Sequence, residues 1–424
     1  MLSRKKAMQL DFKIAKLVDT PEIKTLIGKK LESAQTRQLL EVIKKLESSV
    51  VKEFDLGDEL SSMQLASESD WKHFVDKWKP DAETFLLGIY QNMIDSFEGY
   101  TGMKKMMKPA VKSYAGNLTA AATVSAPKAY PEYSGEYCLT MDRCNGKSVK
   151  TVVEAMSHAK AALEGDDGKK LEDCTLSTFL ALTKSASVLH MLIDLIGWML
   201  LCDKSKVIHG DPHPGNFIND YDGEFTDDEQ TYSLAAAETE AEFQKAVKDV
   251  NIQAVLLNFK VKKNHLWAID WGCFISGATL EADGMFPAKP TPEEKLSHLR
   301  AIMCGLVRAL LSDDGEKLTE CTIQLGLPAS AASLLKKLLV GSSKGHIAAR
   351  LATSKTTDVE DAMADIEAAD LNGEHAKLCN VLLFAGGLAN QMAAALNNSG
   401  ADPVRLSAVD IWSHWLPENG GYVK

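Results

Sequence analysis

Residues 207–218 read Val-Ile-His-Gly-Asp-Pro-His-Pro-Gly-Asn-Phe-Ile, and His209, Asp211, His213 and Asn216 among them could hold a proton or a metal. Between Gly210 and Asn216, seven residues include two prolines and two glycines. Proline gives no amide hydrogen to a helix or ladder, and glycine allows backbone angles that other residues avoid, so the segment is a loop. A second acidic position follows in Leu266-Trp-Ala-Ile-Asp-Trp-Gly, with Asp270 at the end of a strand-like run. Phosphoryl transfer uses such groups: a carboxylate to orient the attacking hydroxyl, and oxygen ligands to hold Mg²⁺ on the phosphates of ATP. By spacing, His209 and Asp211 are the catalytic residues, with Asp211 as the orienting carboxylate, and Asn216 and Asp270 are the metal ligands. The competing reading is a rigid turn in which Asp211 caps and Asn216 is left-handed. Asp270, in order and on the expected element, weighs against it. His213 reads as a hydrogen-bonded loop residue.

The elements around these loops follow from periodicity. An apolar helix over about 176–202 leads into the first loop, and a second helix covers about 149–163. Residues 216–218 read as a short strand, and 265–272 as its hairpin partner. The insert between them, 219–262, holds the acidic run 219–229, read as a solvated loop. A calcium loop does not fit that run, because Gly223 at its sixth position would put Ile218 first. Residues 1–66 and 81–122 have helical spacing, with 118–123 read as helix, and Glu136 to Met141 alternates like a strand. From about 291 the pattern is helical, with breaks at 311–318, 326–330 and 398–403.

A net charge of −11, from 58 acidic and 47 basic residues, argues against a nucleic-acid binder, whose affinity comes from lysine and arginine on phosphate. The eight cysteines include no Cys-x-x-Cys pair and read as reduced, structural thiols. The run 189–202 is short for a membrane span and contains Asp194.

The loop His-Gly-Asp-Pro-His-Pro-Gly-Asn resembles the signature of the UbiB/ADCK (aarF-domain) atypical kinase-like proteins. Residues 126–149 are similar to their hinge, which places Met141 and Asp142 there, and residues 301–327 to their segment after the active site. Glu53-Phe-Asp-Leu-Gly-Asp-Glu59 resembles their Glu-x-Asp element. That match implies Glu53 and Asp55 as the motif, and Glu59 as the glutamate that pairs with the nucleotide lysine. Lys6 and Lys13 are both open as that lysine. The family's Lys-x-Gly-Gln and alanine-rich loop have no counterpart in the expected order, so the chain reads as beginning part-way through the small lobe.

The resemblance implies an α+β, protein-kinase-like fold with an incomplete small lobe and an extended helical C-terminal region. Its parts would be 1–135, partial and helix-rich; 136–290, the large lobe with both loops; and 291–424, the helical remainder. It further implies ATP and Mg²⁺ as cofactors, and ATPase or phosphotransferase activity supporting coenzyme Q metabolism in mitochondria or plastids. Lipid- or quinone-pathway proteins, or a membrane surface, would be the partners. Two other readings stay open. One is a catalytically weak pseudokinase scaffold. The other is a small-molecule kinase of the aminoglycoside or choline kinase type, whose Ile-Asp-Trp motif residues 269–271 echo.

Overall fold

Helix α5, Leu176–Leu201, is apolar on every side, and such a helix is stable only inside a core. Over Thr183–Leu201 it is long and apolar enough to cross a membrane, longer than the sequence reading allowed, yet 94% of that stretch is buried inside the fold. The computed structural model describes residues 56–95, 101–135, 138–164, 176–226, 231–233, 257–280, 290–340, 365, 373–396 and 407–417. Before α5 come α1 (Leu56–Ser67), α2 (Trp71–Asp95), α3 (Thr101–Ala120), strand β1 (Ala122–Ser125), strand β2 (Lys147–Ser148) and α4 (Val149–Glu164). After it come β3 (Ile208–His209), β4 (Phe217–Thr226), β5 (Thr231–Ser233), β6 (Lys260–Ala268) and β7 (Phe274–Ile275). Helices α6 (Pro292–Ser312), α7 (Gly315–Gln324), α8 (Ala329–Leu339), α9 (Gly373–Leu396) and α10 (Ala408–Trp412) follow.

The described residues fall into two compact units. One takes Ala129–Met141 together with the N-terminal part through Ser62, and the other takes Met63–Lys128 with everything from Asp142 onward. In the first, Ala129 bridges Met141, and the Tyr130 amide donates to the Thr140 oxygen at 2.8 Å. The strand expected over 136–141 reduces, among its described residues, to single bridges at Cys138 and Met141. Pro131 opens a 3₁₀ turn nearby, and Ser134 Oγ accepts from the Thr140 amide, so side chains and turns take the bonds that a ladder would use.

In the larger unit the main sheet has the order β1-β6-β4-β2, with β5 on β4, and β3 pairs with β7 in a second, two-stranded sheet. Two sequence expectations change here. Over its described residues, 219–226, the acidic run is strand and not loop: β4 extends to Thr226 and pairs with β6 as far as Glu224 opposite Lys260, and residues 227–229 lie outside the described residues. Asn219, Gly223 and Phe225 alternate inward, while Asp220 pairs with Lys263 and Glu224 with Lys262, so the acids form the outer face of a strand. Residues 118–123 are helix only through Ala120. The β-branched Thr123 and Val124 lie in β1, parallel to β6.

Packing then fixes where α5 delivers the first loop. The buried guanidinium of Arg300 on α6 donates to the Met199 oxygen at 3.1 Å and the Ser205 oxygen at 2.8 Å. It therefore caps the end of α5 and pins the turn before β3. Burial draws its pKa down to about 10. Trp412 lies against Gly197, where a Cβ would collide with its indole, and donates Nε1–H to the Ile193 oxygen at 2.7 Å. Residues 407–417 are thereby held on the face of α5.

Candidate functional site

Two loops leave adjacent strands on the same side of the larger unit. Residues 210–216 connect β3 to β4, and residues 269–273 connect β6 to β7. Because β4 pairs with β6 and β3 with β7, both ends of both loops are tied in register: Phe217 opposite Ala268, and His209 opposite Phe274. Direct bonds reinforce this. The Gly210 amide donates to the Cys273 oxygen and the Ile269 amide to the Asn216 oxygen, each at 2.9 Å.

His209 is buried, flanked by the rings of Trp271 and Phe217 at centroid distances of 4.7 and 5.4 Å. Its Nδ1 accepts from the Asp211 amide at 3.3 Å, so the neutral ring carries its proton on Nε2 and donates to the Ile269 oxygen at 2.9 Å. Burial lowers its pKa, more than the bond to Ile269 and the nearby Asp270 and Asp211 charges raise it. With both nitrogens engaged and no exposed surface, its geometry suits joining the loops, not touching a substrate.

Asp211 is partly exposed, and its main-chain oxygen accepts from Asn216 Nδ2 at 2.9 Å. Donation through the amide nitrogen turns Asn216 Oδ1 the other way, as the group that could face a cation. Asp270 is exposed and takes φ of 59°, a left-handed conformation that aspartate visits more readily than most residues. Trp271, directly after it, donates Nε1–H to the Ala268 oxygen at 2.9 Å and anchors the turn under the core. One carboxylate and one amide oxygen form a hard donor set, suited to Mg²⁺, which uses one or two carboxylates and completes its shell with phosphate and water. Among the described residues no cluster of three or more histidine, cysteine or acidic side chains is placed to hold a metal alone.

The fold thus brings together His209, Asp211, Asn216 and Asp270, four of the residues singled out from sequence. Glu59 lies in the first turn of α1, in the other unit. Met141 is exposed, and Asp142 begins the larger unit's next stretch, with its carboxylate accepting from the Lys128 amide at 3.3 Å. Lys6, Lys13, Glu53 and Asp55 lie outside the described residues.

Sequence reasoning missed the contribution of α9. Lys377 donates to the Phe274 oxygen at 2.9 Å and to Glu374 at 2.8 Å, and Thr279 Oγ1 lies 3.3 Å from Glu374 Oε2. Phe384 of the same helix reaches the ring of His213. The segment after Asp270 is therefore held by a helix about a hundred residues further along the chain, with no local signal to announce it.

No curated protein and no solved structure matches the chain. A family model does match, over residues 109–234, and the span contains the hinge, α4, α5 and the whole first loop, ending before Asp270. That model describes the ABC1 atypical kinase-like domain, which supports the UbiB/ADCK resemblance, and an atypical kinase-like reading, at the level of the domain.

Proposed function

We propose that the protein binds Mg-ATP at the two loops and transfers its terminal phosphoryl group to water or to an acceptor hydroxyl. The observation that carries this reading is the closed chain of bonds from the Asp211 amide through His209 to Ile269 and back through Asn216, which ties together the main chain of the two acid-bearing loops. Bound Mg²⁺ would neutralise charge on the phosphates as they separate. Asp270 and Asn216 would hold that ion through oxygen.

Asp211 orients the attacking O–H. As the oxygen bonds to phosphorus, the bond to the leaving ADP breaks, and the O–H proton passes to the Asp211 carboxylate or to the departing phosphate. His209 acts at one remove, keeping the Asp211 and Asp270 loops in register. The family resemblance directs the activity to lipid quinone metabolism, with coenzyme Q pathway proteins or a membrane surface as partners. Glu59 with Lys6 or Lys13 would supply the nucleotide-positioning ion pair.

Calorimetric titration of ATP with and without Mg²⁺ tests the reading directly. Mg-dependent binding that Asp270→Asn weakens is expected, together with hydrolysis that Asp211→Ala removes. Equal affinity in wild type and Asp270→Asn would refute the assignment of Asp270.

A further inference from the structure

His213 sits at the middle of the first loop, with 40% of its side chain exposed and the rest of the ring set between Gly215 of its own loop and Phe384 of α9. The Gly215 amide donates to its Nδ1 at 2.9 Å. The ring also lies over Gly215, where a Cβ would come within 2.5 Å of His213 Cε1 and push the ring aside. From the other side comes the ring of Phe384 on α9, at a centroid distance of 6.1 Å. Because Nδ1 accepts a hydrogen bond, the neutral ring must carry its proton on Nε2. That nitrogen lies 3.7 Å from Asp211 Oδ2. The separation is within reach of an ion pair and longer than a formed hydrogen bond.

We infer that His213 is a positioning residue for Asp211, presenting a fixed Nε2–H donor that holds the carboxylate in the orientation needed to meet the attacking hydroxyl. The inference rests on the phosphoryl-transfer reading for its consequence, and on the loop geometry alone for its mechanism. A carboxylate on a partly exposed loop can rotate among orientations, and a single donor at a set place selects one of them. Gly215 and Phe384 then serve the same end by fixing the ring. A capping role for His213 would need only Nδ1, the acceptor for the Gly215 amide. A positioning role needs Nε2.

The two amide side chains separate these roles. Asparagine can reproduce the acceptor at the Nδ1 position, and glutamine the donor at the Nε2 position. The expected result is that His213→Ala and His213→Asn both lower kcat for Mg-ATP hydrolysis roughly tenfold, part of the 10²–10⁴ that a general base contributes, with KM little changed. His213→Gln should recover most of that loss. The opposite ranking, with asparagine active and glutamine impaired, overturns the positioning role and leaves a turn cap.

Asp211→Ala distinguishes the underlying reading. If it hydrolyses ATP as fast as wild type, the phosphoryl-transfer reading fails, whatever the His213 variants do. A second measurement needs no turnover. Long-range ¹H–¹⁵N spectra of histidine-labelled full-length protein, taken at a pH about 1.5 above the ordinary histidine value, report the tautomer. The Nε2–H pattern for His213, with an Nε2 shift that moves in Asp211→Ala, supports the inference. An Nδ1–H pattern, or no response to Asp211→Ala, overturns it.

Discussion

The imidazole of His209 donates through Nε2 to the main-chain oxygen of Ile269 at 2.9 Å, so the last residue of β3, directly before the first loop, grips the residue directly before Asp270 in the second. The same ring accepts the Asp211 amide through Nδ1. One buried side chain thereby couples the two acidic positions, and removing it should be felt at both.

His209→Ala should lower stability by roughly 3 kcal/mol, since it opens a cavity between Trp271 and Phe217 and leaves the Ile269 oxygen and the Asp211 amide without their partner. Urea denaturation measures the loss. Mg-ATP affinity should fall as well, because Asp270 is no longer held in register with Asn216.

Asp270 should show stability and binding moving in opposite directions. Its φ of 59° is strained for a residue with a Cβ, so Asp270→Gly should gain about 0.5–1 kcal/mol in chemical denaturation while losing Mg-dependent nucleotide binding. Asp270→Asn, which also tolerates the left-handed region, should leave the denaturation midpoint nearly unchanged. A stable Asp270→Gly variant with wild-type Mg-ATP affinity would show that this carboxylate has no part in holding the ion.

Stability should decline between about pH 6.5 and pH 4, for reasons away from the loops. Burial, helped by the charge on His414, draws His190 down to about 3, and burial, helped by Lys263, draws His265 down to about 4. Both stay neutral in the folded chain at pH values where the unfolded chain takes up protons, so their contribution is present above about 6.5 and lost as pH falls. Asp194 works in the opposite sense. Burial lifts it to about 6, against the bonds and charge from His414, so the folded state holds a proton that the unfolded carboxyl has released. His190→Asn should flatten the acid decline, and Asp194→Asn should steepen it. Urea midpoints taken across the range read both slopes.

The indole of Trp415 donates to Asp194 Oδ1 at 2.7 Å, and His414 Nε2 lies 3.3 Å from Oδ2, off the line of a well-formed hydrogen bond. Trp415→Phe keeps most of the packing against Phe74 but leaves Oδ1 buried without its donor. A loss of about 1–3 kcal/mol is expected at neutral pH, shrinking as Asp194 becomes protonated below about pH 6. A loss that stays constant across that range would mean that Trp415 contributes through packing alone.

Much of this protein is written locally in its chain. The prolines and glycines of residues 210–216 require a loop, the long, mostly apolar run before it reads as a helix, and both appear where the pattern puts them. The helix ends after residue 290 are equally legible. Thr291 and Glu294 form a capping box, Asp313 takes the left-handed cap, and Asp314 caps the next helix. Each of these depends on a residue's own backbone preferences or on neighbours a few positions away.

The tertiary structure decided the rest. Whether the acidic run after Asn219 is loop or strand depends on Lys262 and Lys263, which lie some forty residues on and cover its outer face once β4 and β6 pair. His209 looks like a catalytic histidine by spacing, and only the packing of Trp271, Phe217 and Ile269 around it shows both nitrogens already committed. The ring that His213 meets beyond its own loop, Phe384 of α9, lies about 170 residues away in the chain. Local backbone preference can choose a loop or a helix. Which polar atoms meet across two loops is set by strand register and core packing, and those are properties of the whole fold.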